Sequence, residues 1–187
     1  MTITKGVYTV SNFFRPDECE KFIIQGEEKG FGEATISFPQ QPKMMKSVRN
    51  NDRVTFESVD LANALFPRIA PHLHQILPNE NADSLNPRFR FYRYFPGQRF
   101  KRHIDGTVKS NDLESKLTFL IYLNDDCGGG ETIFRPRGVP EGGEGEHKIA
   151  PAIGKALLFE HHLWHEGAEI EHGVKYVLRT DVFYKTT

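Results

Sequence analysis

Gln98-Arg-Phe-Lys-Arg-His-Ile-Asp-Gly106 brings an imidazole and a carboxylate within two positions of each other, at His103 and Asp105. The run before them reads as a β-strand, and side chains at i and i+2 of a strand point to the same face. The two groups then converge on one point, where a metal ion can be held. A third ligand from elsewhere would complete the 2-His-1-carboxylate face used by non-haem Fe(II) oxygenases. His-x-Asp alone is a weak signal, so the rest of the chain has to supply that partner.

The C-terminal half offers His161, His162, His165 and His172. Phe159-Glu-His-His-Leu-Trp-His165-Glu-Gly167 ends one strand in a turn, and Lys175 begins the next. His165 is the preferred third ligand, because Gly167 permits a tight turn behind it and a strand cation follows ten positions later. His161 and His162 lie further from that cation and remain alternatives.

The cation has a chemical purpose. Iron(II) alone activates O2 poorly, whereas 2-oxoglutarate chelates the metal through its keto acid end and supplies two electrons on decarboxylation. Its far carboxylate then needs a buried positive partner and hydroxyl donors, since an unpaired charge does not persist in a dry pocket. Lys175 supplies the charge; Arg179, on the same strand face, is the fallback. Tyr94, before His103, and Tyr122, which shares a face with Thr118 and Leu120 by period-2 counting, supply hydroxyls.

Elements that position these groups can be read from the patterning. Gly6 to Phe14 alternates as a short strand. Arg15-Pro16-Asp17-Glu18 opens a helix that Gly30 stops. Residues 38–53 show no period, carry Lys43, Lys46, Arg49 and Arg53, and read as a lid or substrate-gripping loop, or as a plain solvated one. A second helix starts at Ser58, with Leu61, Leu65, Ile69, Leu73 and Leu77 on one face; Pro67 and Pro71 should kink or split it. His72 and His74 within it are expected at the surface. Strands follow at Arg88–Phe95, Leu117–Leu123, Ala156–Glu160 and Lys175–Tyr184, separated by Pro/Gly-rich turns. Arg135–Lys148 reads as a mobile loop, and Gly129-Gly130-Glu131-Thr132 as a structural connection. Helices first, then strands, point to a β-sandwich or barrel with helices on one face.

Composition narrows the class. A chain of 187 residues fits one domain, expected over 1–187 with helical support to about residue 85 and the catalytic part from about 86. With 24 basic and 25 acidic residues and a net charge of −1, no global field favours nucleic acid or an anionic membrane. Cys19 and Cys127 are far apart and read as reduced thiols of an intracellular protein. No apolar core of a signal peptide and no apolar run near the ~20 residues of a membrane span is found, so a cytoplasmic location is expected.

The motifs come in a telling order. Tyr94-x-Pro-Gly-Gln-x-Phe-x-x-His103-x-Asp105-Gly, Leu117-Thr-x-Leu-x-Tyr-Leu-Asn-Asp125 and Gly129-Gly-Glu-Thr132 are followed by His165-Glu-Gly and Gly173-x-Lys175-Tyr-Val-Leu-Arg-Thr-Asp181. Together they resemble the Fe(II)/2-oxoglutarate dioxygenases of the prolyl 4-hydroxylase-like group, across about residues 90–184. Asn12-Phe-Phe-x-Pro-Asp-Glu-Cys-Glu20 is similar to that group's opening helix. The resemblance implies an α+β, mostly β fold: a double-stranded β-helix, or jelly-roll, with N-terminal helices packed on one face. It implies His103, Asp105 and His165 as iron ligands. It also implies Lys175 as partner of the distal 2-oxoglutarate carboxylate, assisted by Tyr94 and Tyr122. Asp105 is not replaced by Gly or Ala, as in related halogenases, so hydroxylation is preferred.

The expected activity is hydroxylation of a C–H bond coupled to decarboxylation of 2-oxoglutarate, using Fe(II) and O2, with ascorbate a candidate auxiliary. A peptide or protein prolyl residue, or a small molecule, is the expected substrate. Two rivals share the ligand set: a cupin-like dioxygenase without 2-oxoglutarate, and a non-catalytic metal-binding jelly-roll module.

Overall fold

Two helices and sixteen strands make up residues 1–34 and 47–186, the part of the chain that the computed structural model describes. Most of the expected basic loop, with Lys43 and Lys46, lies outside the described residues. The first half runs β1 (Thr2–Thr4), β2 (Val7–Val10), α1 (Pro16–Lys29), β3 (Gly32–Glu33), β4 (Asp52–Glu57), α2 (Val59–Leu73), β5 (Ala82–Leu85) and β6 (Arg88–Tyr94). The second half adds β7 (Phe100–His103), β8 (Lys109–Ser110), β9 (Leu113–Tyr122), β10 (Gly128–Gly129) and β11 (Thr132–Phe134). It ends with β12 (His147–Ile149), β13 (Ala156–Glu160), β14 (His165–Gly167), β15 (Ile170–His172) and β16 (Lys175–Lys185).

The strands form two facing antiparallel layers. The large sheet has the order β1-β2-β13-β9-β16-β6-β4-β3, and the small one β12-β11-β14-β7. Period-2 alternation gives the large sheet two apolar faces. Phe89, Phe91, Leu117, Phe119, Ile121, Leu178 and Val182 face the helices and pack with Phe14, Cys19, Leu65, Ile69 and Leu73. Tyr92, Tyr94, Tyr122, Leu157, Phe159 and Val177 face the small sheet and meet Phe134 and Ile149. This is the expected jelly-roll with helices on one face.

The N-terminal part is more than helical support, because β1 and β2 extend the large sheet beside β13, and β4 pairs with β6 along Asp52–Glu57. The first expected strand is shorter than its pattern, Val7–Val10, because Asn12 takes a left-handed conformation (φ 54°) and turns Phe13 and Phe14 into the core. Helix α1 begins at Pro16, with Glu18 accepting a hydrogen bond from the Arg15 backbone N–H at 2.8 Å. It ends where Gly30 adopts φ 77°.

Helix α2 begins as expected, with Ser58 Oγ accepting from the Leu61 N–H at 3.1 Å, but its prolines do not split it. Asn63, Pro67 and Pro71 lie four apart on the exposed face. The carbonyls that the prolines leave without N–H partners therefore open to water, while Leu65, Ile69 and Leu73 keep the opposite face buried. The helix stops before Leu77. His74 is exposed, and His72 is half-buried with its ring 5.9 Å from that of Tyr8. Cys19 and Cys127 are both free thiols. Among the described residues no helix is long and apolar enough to cross a membrane.

Pro67→Ala restores one helical hydrogen bond at an exposed position. It is expected to stabilise the protein by about 1–2 kcal/mol, the helix gain less the entropy proline removes from the unfolded chain. A shift of the urea midpoint to higher concentration checks this; a shift to lower concentration would mean that the proline ring itself supports the fold.

Candidate active site

Three side chains meet between the two sheets. His103 is the last residue of β7 and His165 the first of β14, and the antiparallel register sets them directly opposite each other. Directly opposed residues have Cβ atoms about 5 Å apart, and here the imidazole centroids are 4.2 Å apart. Asp105 lies just beyond β7, held by its backbone N–H to the His161 carbonyl at 2.9 Å. Its oxygens are 3.7 Å from His103 Nε2 and 3.6 Å from His165 Nε2. One ligand atom from each residue lies within 4.8 Å of the others.

Backbone carbonyls fix both rings. His103 Nδ1 donates to Lys101 O at 2.8 Å, and His165 Nδ1 to Leu163 O at 2.9 Å. Each ring thus turns a lone pair on Nε2 toward Asp105, which is the tautomer a metal requires. Phe100 stacks on His103 at 3.6 Å, and Phe159 meets His165 edge-on at 4.5 Å. Burial, with His165 alongside, pushes His103 down to about 3, and burial also lowers His165. Burial alone would raise the Asp105 carboxyl, but Arg179 and the two imidazoles outweigh it and hold it well below the usual range. Two neutral imidazoles and one ionised carboxylate on one side of an open pocket fit a divalent ion.

Asp105 is itself supported. Thr118 Oγ1 donates to Asp105 Oδ2 at 2.6 Å, and Arg179 Nη2 approaches the same oxygen at 3.0 Å. His161 contributes from behind: its Nδ1 lies 3.0 Å from Thr118 Oγ1 and its Nε2 3.0 Å from Ser115 Oγ. Both of its nitrogens are occupied, which separates it from the three-residue cluster. His162 is exposed and sits 3.5 Å from Glu160. Of the candidate third ligands, only His165 joins His103 and Asp105 among the described residues.

The pocket these residues share extends along Tyr92, Tyr94, Thr118, Leu120, Thr132, Lys175, Val177 and Arg179. Lys175 is buried, with Nζ over the rings of Tyr94 (5.3 Å) and Tyr122 (5.4 Å) and donating to the Gly130 carbonyl. Burial brings its ammonium down to about 8. Gly130 has φ 71°, and a Cβ there would meet Ile170 Cδ1 at 2.4 Å and Lys175 Cδ at 3.1 Å. The glycine pair expected to be a plain connection therefore also makes room for the lysine. Tyr122 OH is paired with Thr132 Oγ1 at 2.6 Å, and burial raises both Tyr122 and, to about 12, Tyr94. Arg179 turns to Asp105 and Asp181 rather than to the Lys175 end.

Other expectations change. Gly167 lies within β14 opposite Thr132 and Phe100, and the turn instead precedes His165 at residues 161–163. Lys148 belongs to β12, and the 135–146 segment is anchored by Arg135–Glu166 (2.7 Å) and by Arg102 donating to the Arg135 and Pro136 carbonyls. Arg49 is no solvent-facing clamp. Its guanidinium is buried between the rings of Tyr92 (4.5 Å) and Phe100 (4.3 Å), with Nε on Asn51 Oδ1. Tyr92 was not foreseen either: burial opposes ionisation, but Arg179, Arg49 and Arg90 prevail and bring its phenol down to about 8.

Comparison with known proteins agrees with this geometry. Residues 89–180 match the model of the 2OG-Fe(II) oxygenase superfamily. The matched segment holds His103, Asp105, His165 and Lys175, and its likeness is to the prolyl 4-hydroxylase-like group of that superfamily. A mimivirus protein named as a putative prolyl 4-hydroxylase is 24% identical over 162 residues, covering 81% of this chain. The chain spans 59% of that relative's length. Three solved structures share the fold across nearly the whole chain. The viral collagen prolyl hydroxylase of Paramecium bursaria Chlorella virus-1 is 20% identical, with a TM-score of 0.63 and 96% of each chain covered. A Pseudomonas putida prolyl-4-hydroxylase is 17% identical, with a TM-score of 0.67, covering 98% of this chain and 94% of its own. A Trichoplax adhaerens prolyl hydroxylase, solved with a hypoxia inducible factor peptide fragment, has the same TM-score of 0.67 at 17% identity, with 97% of this chain and 84% of its own covered. The family uses Fe(II), 2-oxoglutarate and O2.

The buried imidazoles give the metal-free protein a defined pH dependence. His103 is lowered from 6.5 to about 3, so the unfolded chain takes up its proton first. The stability from burying it neutral is complete above pH 6.5 and is lost as the pH falls toward 3. His161, His165 and Asp105, all lowered, act in the same direction. The melting temperature of the metal-free protein should fall steadily on acidification below about 6.5. In His103→Leu the fall should be shallower; an unchanged slope would place the effect elsewhere.

Proposed function

We propose that this chain, acting as one catalytic unit, hydroxylates a C–H bond at the expense of 2-oxoglutarate. His103, Asp105 and His165 hold Fe(II), and Lys175, with Tyr94 and Tyr122, holds the distal carboxylate of 2-oxoglutarate. The observation that carries this reading is the buried Lys175 ammonium in the pocket of the His/Asp cluster. It lies on two aromatic faces and a carbonyl, with no carboxylate in ion-pair range among the described residues. A buried cation without an anion is costly, and burial has already weakened its hold on its proton. A dicarboxylate with one end on the metal brings the missing charge.

With iron and 2-oxoglutarate bound, the reaction consumes O2, places one oxygen atom in succinate and the other in the hydroxylated product, and releases CO2. The chain's own part is to bind, orient and exclude water. The Lys101 and Leu163 carbonyls hold the imidazole tautomers, and Thr118 with Arg179 holds Asp105. Phe100, Phe159, Leu120 and Val177 line the pocket with apolar surface that keeps water from the oxidant.

A prolyl residue of a peptide or protein is the substrate we infer. The prolyl hydroxylase names of the relatives and the peptide bound by the Trichoplax structure support this choice.

Purified protein with Fe(II), ascorbate and O2 should convert 2-oxoglutarate to succinate, slowly without substrate, and should add one oxygen to members of a proline-rich peptide panel seen by mass spectrometry. His103→Ala and Asp105→Ala should abolish both. Lys175→Ala should raise the 2-oxoglutarate KM about ten- to a hundredfold, the loss of a charge-assisted contact, while leaving metal binding intact. Oxygen uptake without succinate would instead support a dioxygenase of another cosubstrate.

A further inference from the structure

We infer that Arg179 is a positioning residue that keeps the metal site electrically neutral, so that a divalent ion binds weakly until the dianionic cosubstrate joins it. The inference rests on His103, Asp105 and His165 being the ligands, and it concerns what the charge of Arg179 does beyond holding Asp105.

The two oxygens of Asp105 differ in their protein partners, although each faces an imidazole, Oδ2 lying 3.6 Å from His165 Nε2. Oδ2 receives the Thr118 hydroxyl at 2.6 Å and the Arg179 guanidinium at 3.0 Å, while Oδ1 faces His103 Nε2 at 3.7 Å. Oδ2 thus carries both protein donors, and Oδ1 is the oxygen without one. Thr118 and Arg179 both orient the carboxylate, but only Arg179 brings charge. Arg179 is held in place, its side chain 13% exposed, with Nη2 also 3.3 Å from Thr118 Oγ1 and 3.4 Å from Asp181 Oδ1. Asp181 does not cancel that charge alone, because it also takes Arg90 at 3.2 Å and Asn86 at 3.3 Å.

Two carboxylates and two guanidiniums therefore balance beside two neutral imidazoles. A divalent ion added here brings two positive charges into a buried site with no net negative charge to meet them. A neighbouring Arg lowers a carboxylate's affinity for a proton by about ten- to a thousandfold, and a dication competing for the same oxygens meets the same opposition. 2-Oxoglutarate carries two negative charges, one end meeting the metal and the other Lys175, and so offsets much of the added positive charge. Metal and cosubstrate should thus strengthen each other, by equal factors in either order of addition. An outer-shell group that only orients a ligand behaves differently: its loss weakens metal binding.

That contrast gives the test. The metal-free protein is titrated with Co(II) by calorimetry, with the visible Co(II) bands as a second readout, with and without 2-oxoglutarate. Arg179→Gln keeps a donor and removes the charge; it should bind Co(II) alone about tenfold or more tightly than the wild type and gain less from 2-oxoglutarate. Arg179→Lys keeps the charge and should stay near the wild type. Thr118→Val should bind more weakly. Tightening in both Arg179 variants would assign the effect to lost packing, and equal or weaker binding by Arg179→Gln would mean the guanidinium is purely structural; either overturns the inference. Failure of the wild type to bind Co(II), or unchanged binding by Asp105→Ala, would instead overturn the ligand assignment beneath it.

Discussion

The pairing of β7 with β14 is the constraint on which the rest of the site depends. Antiparallel register places His165 opposite His103, and a slip of one residue in either strand would turn that strand's imidazole to the outer face of the small sheet. The register is pinned from several sides. β14 pairs with β11 through Thr132, Ile133 and Phe134, and Asp105 is tied to the carbonyl of His161, four residues before His165. Each of these three side chains thus inherits its position from backbone hydrogen bonds rather than from its own flexibility. Sites built on strands are more precise than sites built on loops for this reason.

The second constraint is charge in a low-dielectric pocket. Two cations face it from one strand, Lys175 and Arg179, four residues and so about 13 Å apart along β16. Among the described residues Arg179 has Asp105 and Asp181 within ion-pair range, whereas Lys175 has π-faces and a carbonyl, with Glu131 acting on it from further off. One strand therefore carries a satisfied charge beside the metal cluster and an unsatisfied one at the far end.

Much of this was legible in the chain. Period-2 alternation located β6, β9, β13 and β16 to within a few residues, and the order of Tyr94, His103, Asp105, His165 and Lys175 brought together the groups that the fold assembles. What escaped depends on pairing between distant strands. The contact of Arg179 with Asp105 spans more than seventy positions, and Thr118 reaches Asp105 because β9 pairs with β13 in the register Thr118–Phe159 and the His161 carbonyl just beyond β13 holds Asp105. Arg49 looked like a surface cation because nothing local announces the rings of Tyr92 and Phe100 that enclose it. Pro67 and Pro71 looked like helix breakers because their effect depends on which side of α2 meets water. Gly167 suggested a turn by its type alone, yet it sits in a strand.

β16 lies between β9 and β6 in the middle of the large sheet, although residues 175–185 are made after both of its neighbours. On the ribosome, β6 and β9 must wait with unpaired inner edges for some fifty residues of further synthesis, at about 5–20 residues per second. Lys175 and Arg179 arrive on that same strand, so the imidazoles of His103 and His165 are made before the charges that complete their surroundings. The surroundings of the His/Asp cluster are accordingly completed late in the life of each new chain, and the interval before β16 docks is when exposed strand edges are most open to aggregation.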